Sequence, residues 1–204
     1  MSAVPGPRMR EVAPGILHWQ APHPKLGFDV SSHLIRESGT VLDPMLPDGA
    51  GREWLGADLE RVVLTVRHHL RSATELGVPI LAHRAGLHEF EASDAAVEGF
   101  DAGDELAPGI RVLGFGRICP DDTVLHIATG PGALAFGDGI VNYGGIGHPP
   151  DRYLGDDPET VKADILEGLE PLLDADFEVL LFAHGEPITR EGKRMLREFV
   201  ASRR

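Results

Sequence analysis

Short apolar runs broken by Gly- and Pro-rich turns set the rhythm of the chain. Val12 to Trp19 reads as a strand with a Pro-Gly turn inside it. Ser32 to Arg36 and Thr40-Val41-Leu42 follow as strands, and the second ends at Asp43-Pro44, a pair that favours a turn. Residues 52–60 place Trp54, Leu55 and Leu59 on one face of a short predicted helix. Val62 to Thr65 has the pattern of a buried strand. A polar turn with His68 and His69 comes next, then a predicted helix from Leu70 to Leu76 stopped by Gly77, then a strand from Val78 to Leu81. RAGLHEFE, beginning at Arg84, reads as a turn of helix, and residues 91–109 show no clear period.

Ile110 to Phe115 alternates as a strand. Thr123 to Ile127 and Ala133 to Phe136 flank a Gly-Pro-Gly turn and predict a hairpin. Residues 139–157 form a long Gly/Pro loop, and loops of that length often carry function. Asp157 and Pro158 cap a predicted helix whose Val161, Ile165, Leu169 and Leu172 share one face. Phe177 to Phe182 is a buried strand, His184-Gly185-Glu186-Pro187 a turn, and residues 189–203 a helix with Thr189 as its cap. Strand, polar turn, helix, strand is a βαβ unit, and ligands in open α/β sheets sit at the carboxyl ends of such strands. Thr65 to Arg71 is therefore the first candidate segment for chemistry. Two mixed sheets with helices outside both satisfy the order of elements.

Length predicts one domain over residues 1–204, with residues 1–10 as a flexible N-terminus. The net charge of −13 argues against nucleic acid or an anionic membrane as partner, because phosphate binding needs clustered Lys and Arg. A small molecule is the expected partner. The lone Cys119 excludes an internal disulfide and a Cys-based zinc site. Cys119 itself reads as a small buried hydrophobe. With neither a signal peptide nor an apolar run of membrane-spanning length, a reducing, cytoplasmic setting is expected.

Several segments, in the correct order, resemble the metallo-β-lactamase superfamily from about Val12 onward. VAPGILHW resembles its opening strand, TVLDP its second strand ending in Asp43, and VVLTVRHHLRSA the strand and turn that bear Thr-His-x-His-x-Asp-His. FDAGDEL, ICPDDTVLHI, ALAFGDGI and LLFAHGEPI resemble the later segments. The resemblance implies an αββα sandwich: two mixed β-sheets with helices on both outer faces.

The metal motif departs from the family pattern. Thr65 matches its Thr, Val66 replaces the first histidine, His68 matches the second, Leu70 replaces the aspartate and Arg71 the last histidine. Ile118 stands roughly where another histidine is expected. Asp138 matches the bridging aspartate and His184 the final histidine. A hydrolytic zinc needs about three protein ligands and an open position for water. The resemblance thus implies at most one metal, zinc or another divalent ion, on His68, Asp138 and His184. Asp43, His69 and Arg71 are implied as supporting or ligand-binding residues.

Each of these has a plainer reading. His69 is then a surface or supporting histidine, Asp138 a turn-former, Asp43 likewise, and Arg71 a helix-surface arginine whose functional role would be to meet Asp138 in place of metal charge. His83, His88 and His148 could line the cleft, but nothing in the sequence selects them. The function implied is a hydrolase of a small ester, thioester or lactone. The competing reading is a metal-free binding protein that holds a small acidic ligand through Arg71 and nearby histidines. Electron-transfer or oxygenase chemistry is a third reading, disfavoured because those branches need a full ligand set.

Overall fold

The apolar runs pair into two mixed sheets. A computed structural model describes residues 8–56, 58–92 and 95–203. The first sheet holds β1 (Arg10–Ala13), β2 (Ile16–Pro22), β3 (Asp29–Ile35), β4 (Thr40–Leu42), β5 (Arg61–Val63), β6 (Ile80–His83) and β7 (Val97–Phe100), in that order. β1 to β4 pair antiparallel, and β4 to β7 pair parallel. The second sheet is built from β8 (Glu105–Ala107), β9 (Ile110–Val112), β10 (Val124–Ile127), β11 (Ala133–Phe136) and β14 (Val179–Phe182). Its order is β14-β11-β10-β9-β8, and only β11 and β14 run parallel. A small hairpin of β12 (Val141–Asn142) and β13 (Ile146–Gly147) stands apart in the long loop.

Alternation along the strands makes three apolar layers. Val179 and Leu181 of β14, with Ala133 and Ala135 of β11, face inward and meet Ile16, Ile35, Leu42 and Val63 of the first sheet. Leu180, Phe182, Leu134 and Phe136 face outward under α1 (Pro158–Leu169) and α2 (Gly192–Ser202). On the far side, Trp19, Leu34, Val62 and Leu64 are covered by Leu55, Leu59, Leu76 and Phe90. The chain thus has the layer order expected from the sequence, with one difference. The cover of the first sheet consists of 3₁₀ turns, not α-helices.

That difference has a local cause. In place of the expected helix at Leu70–Leu76 there is one 3₁₀ turn, Ala73–Leu76, after another at Arg67–His69 in the preceding turn, and Arg71 between the two takes φ 40. Its side chain is drawn inward, donating from Nη1 to the carbonyls of Ser31 and Asp43, both at 2.8 Å. The helix expected over residues 52–60 is likewise a single 3₁₀ turn, Arg52–Leu55. α1 starts where its signals predict, with Asp157 accepting the Thr160 N–H at 3.2 Å. α2 starts at Gly192 behind Glu191, so Thr189 does not cap it. Residues 1–7 of the expected N-terminal tail lie outside the described residues, and Arg10 already belongs to β1. Among the described residues no helix is long and apolar enough to cross a membrane.

One buried pair interrupts the apolar seam between the sheets. His18 of β2 and His33 of β3 face each other with Nδ1 and Nε2 3.1 Å apart, 1% and 3% exposed. Burial, with the Arg10 charge nearby, lowers the His18 pKa to about 4. Burial, His18 and Arg71 hold His33 well below the usual imidazole range.

Candidate metal centre

The carboxyl ends of β4, β5, β11 and β14 open onto one edge, where polar bonds replace apolar packing between the sheets. The Thr123 N–H donates to the Thr65 carbonyl at 2.9 Å, and the Ser31 N–H to the Ala183 carbonyl at 2.9 Å. Ser31 Oγ donates to the Gly185 carbonyl at 2.7 Å. Arg67 ties the turn after β5 to the segment before β10. Its N–H donates to Asp121 Oδ2 at 2.7 Å, and its Nη2 lies 2.6 Å from Asp121 Oδ1.

Asp43, 2% exposed at the end of β4 with φ 46, organises the first wall. Asp tolerates a left-handed backbone better than most side chains. Its carboxylate accepts the Thr65 N–H at 2.8 Å and the Thr65 hydroxyl at 2.5 Å. The same carboxylate lies 3.1 Å from His69 Nδ1. This contact fixes the ring so that Nε2 faces Asp138 Oδ1 at 3.3 Å. His184 Nε2 approaches the same oxygen from the second sheet at 3.1 Å. Each of the three residues thus offers a ligand atom within 4.8 Å of the others.

The charges of this cluster oppose its burial. Burial depresses His69, as does Arg71, but the carboxylates of Asp43 and Asp138 outweigh them and leave its pKa raised. Burial would raise Asp138; His69 and His184 overcome it and hold Asp138 well below the usual carboxylate range. His184 is lowered by burial, which Asp138 only partly offsets.

A second carboxyl supports the loop. Asp122, 1% exposed, accepts the Asp138 N–H at 3.1 Å through Oδ1, while its Oδ2 is buried without a partner. Burial, and then the Asp138 charge, push its pKa well above the usual carboxylate range.

The three residues expected to carry the site all reach this edge, but only two meet. Asp138 and His184 converge with His69, whereas His68 is exposed and only lines the cleft. His69, read from sequence as supporting or superficial, is the buried partner. The cause is the 3₁₀ turn, which directs His69 under the turn and His68 out. Arg71 faces the cleft, but its Nη1 is committed to backbone carbonyls, and no ion pair joins it to Asp138. Ile118 and Cys119 form part of the opposite wall. Burial and the carboxylates of Asp121 and Asp122 push the Cys119 thiol up to about 12, which leaves it a poor nucleophile.

His184 depends on the residue after it. Gly185 has φ 104, and a Cβ there would run into the Asn142 carbonyl oxygen. Asn142 bridges to Gly185, and its N–H donates to the His184 carbonyl at 3.0 Å. Gly185→Ala is expected to cost about 2–3 kcal/mol in urea unfolding and to weaken metal binding in the same protein. An unchanged unfolding midpoint would show that the Asn142 strand simply moves aside.

The residues present suit a divalent ion. Two imidazole nitrogens and a carboxylate oxygen are ordinary zinc donors, and bonds of about 2.0–2.1 Å in a tetrahedron put neighbouring donors roughly 3.3 Å apart. The distances of 3.3 and 3.1 Å to Asp138 Oδ1 agree with that spacing. Asp43 behind His69 is the orienting carboxylate such ligands commonly have.

Solved structures match this architecture. A metallo-beta-lactamase family protein from Thermus thermophilus superposes with a TM-score of 0.69 at 20% identity, over 94% of this chain and 80% of its own. A beta-lactamase domain protein from Burkholderia ambifaria gives 0.67 at 20% identity, over 95% and 75%. The chain has the metallo-β-lactamase fold. A flavo di-iron protein from Thermotoga maritima shares this fold, with a TM-score of 0.65 at 17% identity, over 98% of this chain and 62% of its own. No protein-family model matches the sequence, and no curated protein sequence does. The fold alone does not fix function; the donor set does the chemistry.

Proposed function

We propose that this metallo-β-lactamase-fold chain is a metal-dependent hydrolase of a small ester, thioester or lactone, with one divalent ion held by His69, Asp138 and His184. The observation that carries the reading is the convergence of three donors from two sheets, one of them clamped from behind by Asp43. When bound, such an ion supplies Lewis-acid polarisation of a carbonyl and a water acidic enough to act near neutral pH. The chain's own residues do the rest. Asp43 keeps the His69 Nδ1–H, which leaves Nε2 as the free donor. Asp138, whose carboxyl His69 and His184 hold well below the usual carboxylate range, brings a negative charge to the cluster. Leu70 and Ile118, where the family pattern has further ligands, disfavour a second ion.

Metal content decides the matter. Purified protein is expected to retain about one equivalent of zinc, His184→Ala and His69→Ala to lose it, and His68→Ala to keep it. Retention by His184→Ala, or loss in His68→Ala, would place the ligands elsewhere. The competing metal-free reading needed Arg71 to compensate Asp138. In the structure His69 and His184 lie against that carboxylate instead, while Arg71 Nη1 donates to backbone carbonyls.

A further inference from the structure

We propose that the cleft beside this centre selects an amphipathic carboxylate: an apolar or aromatic body carrying one free carboxylate, set apart from the carbonyl to be cleaved. The reaction part rests on the hydrolase reading above; the binding part does not. The cleft measures about 500 Å³. Among the described residues the exposed large hydrophobics are Leu26, Tyr143 and Tyr153, at 38%, 58% and 48%, and all three stand around this one cleft. Water-exposed rings gathered at one mouth are costly unless something apolar covers them. Phe28 continues the wall inward, its ring 6.5 Å from Tyr143 and 6.1 Å from His184, so apolar surface runs from the rim to the donors.

Charge favours the same ligand. The chain carries −13, yet the cleft is lined by Lys25, Arg71 and histidines against a single carboxylate, Asp138, which His69 and His184 already engage. Arg152 stacks over Tyr153 at 4.7 Å and adds a cation at the rim. Arg71 is anchored to carbonyls, whereas Lys25 makes no ion pair among the described residues and sits next to Leu26. A local reversal of sign inside an acidic protein concentrates anions in the cleft. Lys25 is therefore the group that meets the carboxylate, while the body lies on Leu26, Tyr143 and Tyr153.

The test uses the full chain and three probes by calorimetry: 2-naphthoate, its neutral isostere 2-naphthamide, and acetate. Each is measured with zinc added and again with a chelator, since a carboxylate can itself ligate metal. 2-Naphthoate is expected to bind about tenfold tighter than either other probe in both conditions. Lys25→Gln should weaken 2-naphthoate several-fold and leave 2-naphthamide unchanged; Tyr153→Ala should weaken both. Equal binding of acid and amide, or an unaltered 2-naphthoate affinity in Lys25→Gln, overturns the proposal. Protein that retains no zinc but shows the full pattern upholds the ligand class and refutes the hydrolase reading. Protein that binds zinc without the preference refutes the ligand class alone.

Discussion

Asp43→Ala is expected to destabilise the protein by about 3–5 kcal/mol and to weaken zinc binding roughly 10–100-fold. The reason is the number of groups that depend on one buried carboxylate. The Thr65 N–H, the Thr65 hydroxyl and His69 Nδ1 all point at it. Removing it strands three polar groups in a site 1–3% exposed, and unpaired buried donors cost more than the bonds contributed. The loss of affinity has a separate origin, since nothing would then fix which His69 nitrogen faces Asp138. Asp43→Asn distinguishes the two effects. It restores one acceptor and is expected to recover part of the stability, but not the charge that raises the His69 pKa. Urea unfolding and zinc titration of both variants check this, and an Asp43→Ala protein with native stability would dismiss Asp43 as an organiser.

The second large effect concerns acid. The folded pKa of His18 is lowered from 6.5 to about 4, so between those values the unfolded chain binds a proton that the folded one refuses. Stability is therefore full above the unfolded pKa and falls as pH drops through this window. His18 alone accounts for roughly 3 kcal/mol at the acid end, and His33, which burial also holds well below the usual imidazole range, adds to it. Unfolding free energies at about pH 7.5 and about pH 4.5 should differ by that order, and the His18→Leu/His33→Leu double variant should lose much of the slope. A wild-type profile flat over this range would refute the account.

The sheets and the capped helix α1 were legible because their signals are local: alternation, apolar runs, Asp157-Pro158. The 3₁₀ cover was not, because Arg71 leaves helical backbone to reach carbonyls of Ser31 and Asp43, a contact far along the chain. β7 and β8 were invisible for a related reason. As edge strands with exposed positions they show little period, and pairing, not pattern, defines them. Asp138 and His184 could be placed by resemblance at strand ends. His68 and His69 could not be told apart, since adjacent histidines on a turn differ only in how the turn is wound. The pairing that settles it, His69 with Asp43, was hidden by their separation in sequence. Lys25 carried no signal, and Tyr143 and Tyr153 none beyond their place in the long 139–157 loop, until folding brought that loop and the β2–β3 turn to one mouth.

Each sheet is written in one stretch of chain, the first from Arg10 to Phe100 and the second from Glu105 to Phe182. A break in the Asp101–Asp104 turn would leave both sheets whole in separate pieces. The donors do not divide so cleanly: His69 goes with the first piece, Asp138 and His184 with the second. Neither piece would own the candidate centre, and if the whole chain takes up zinc there, uptake by a mixture of the two pieces would serve as a direct signal that the halves had found each other.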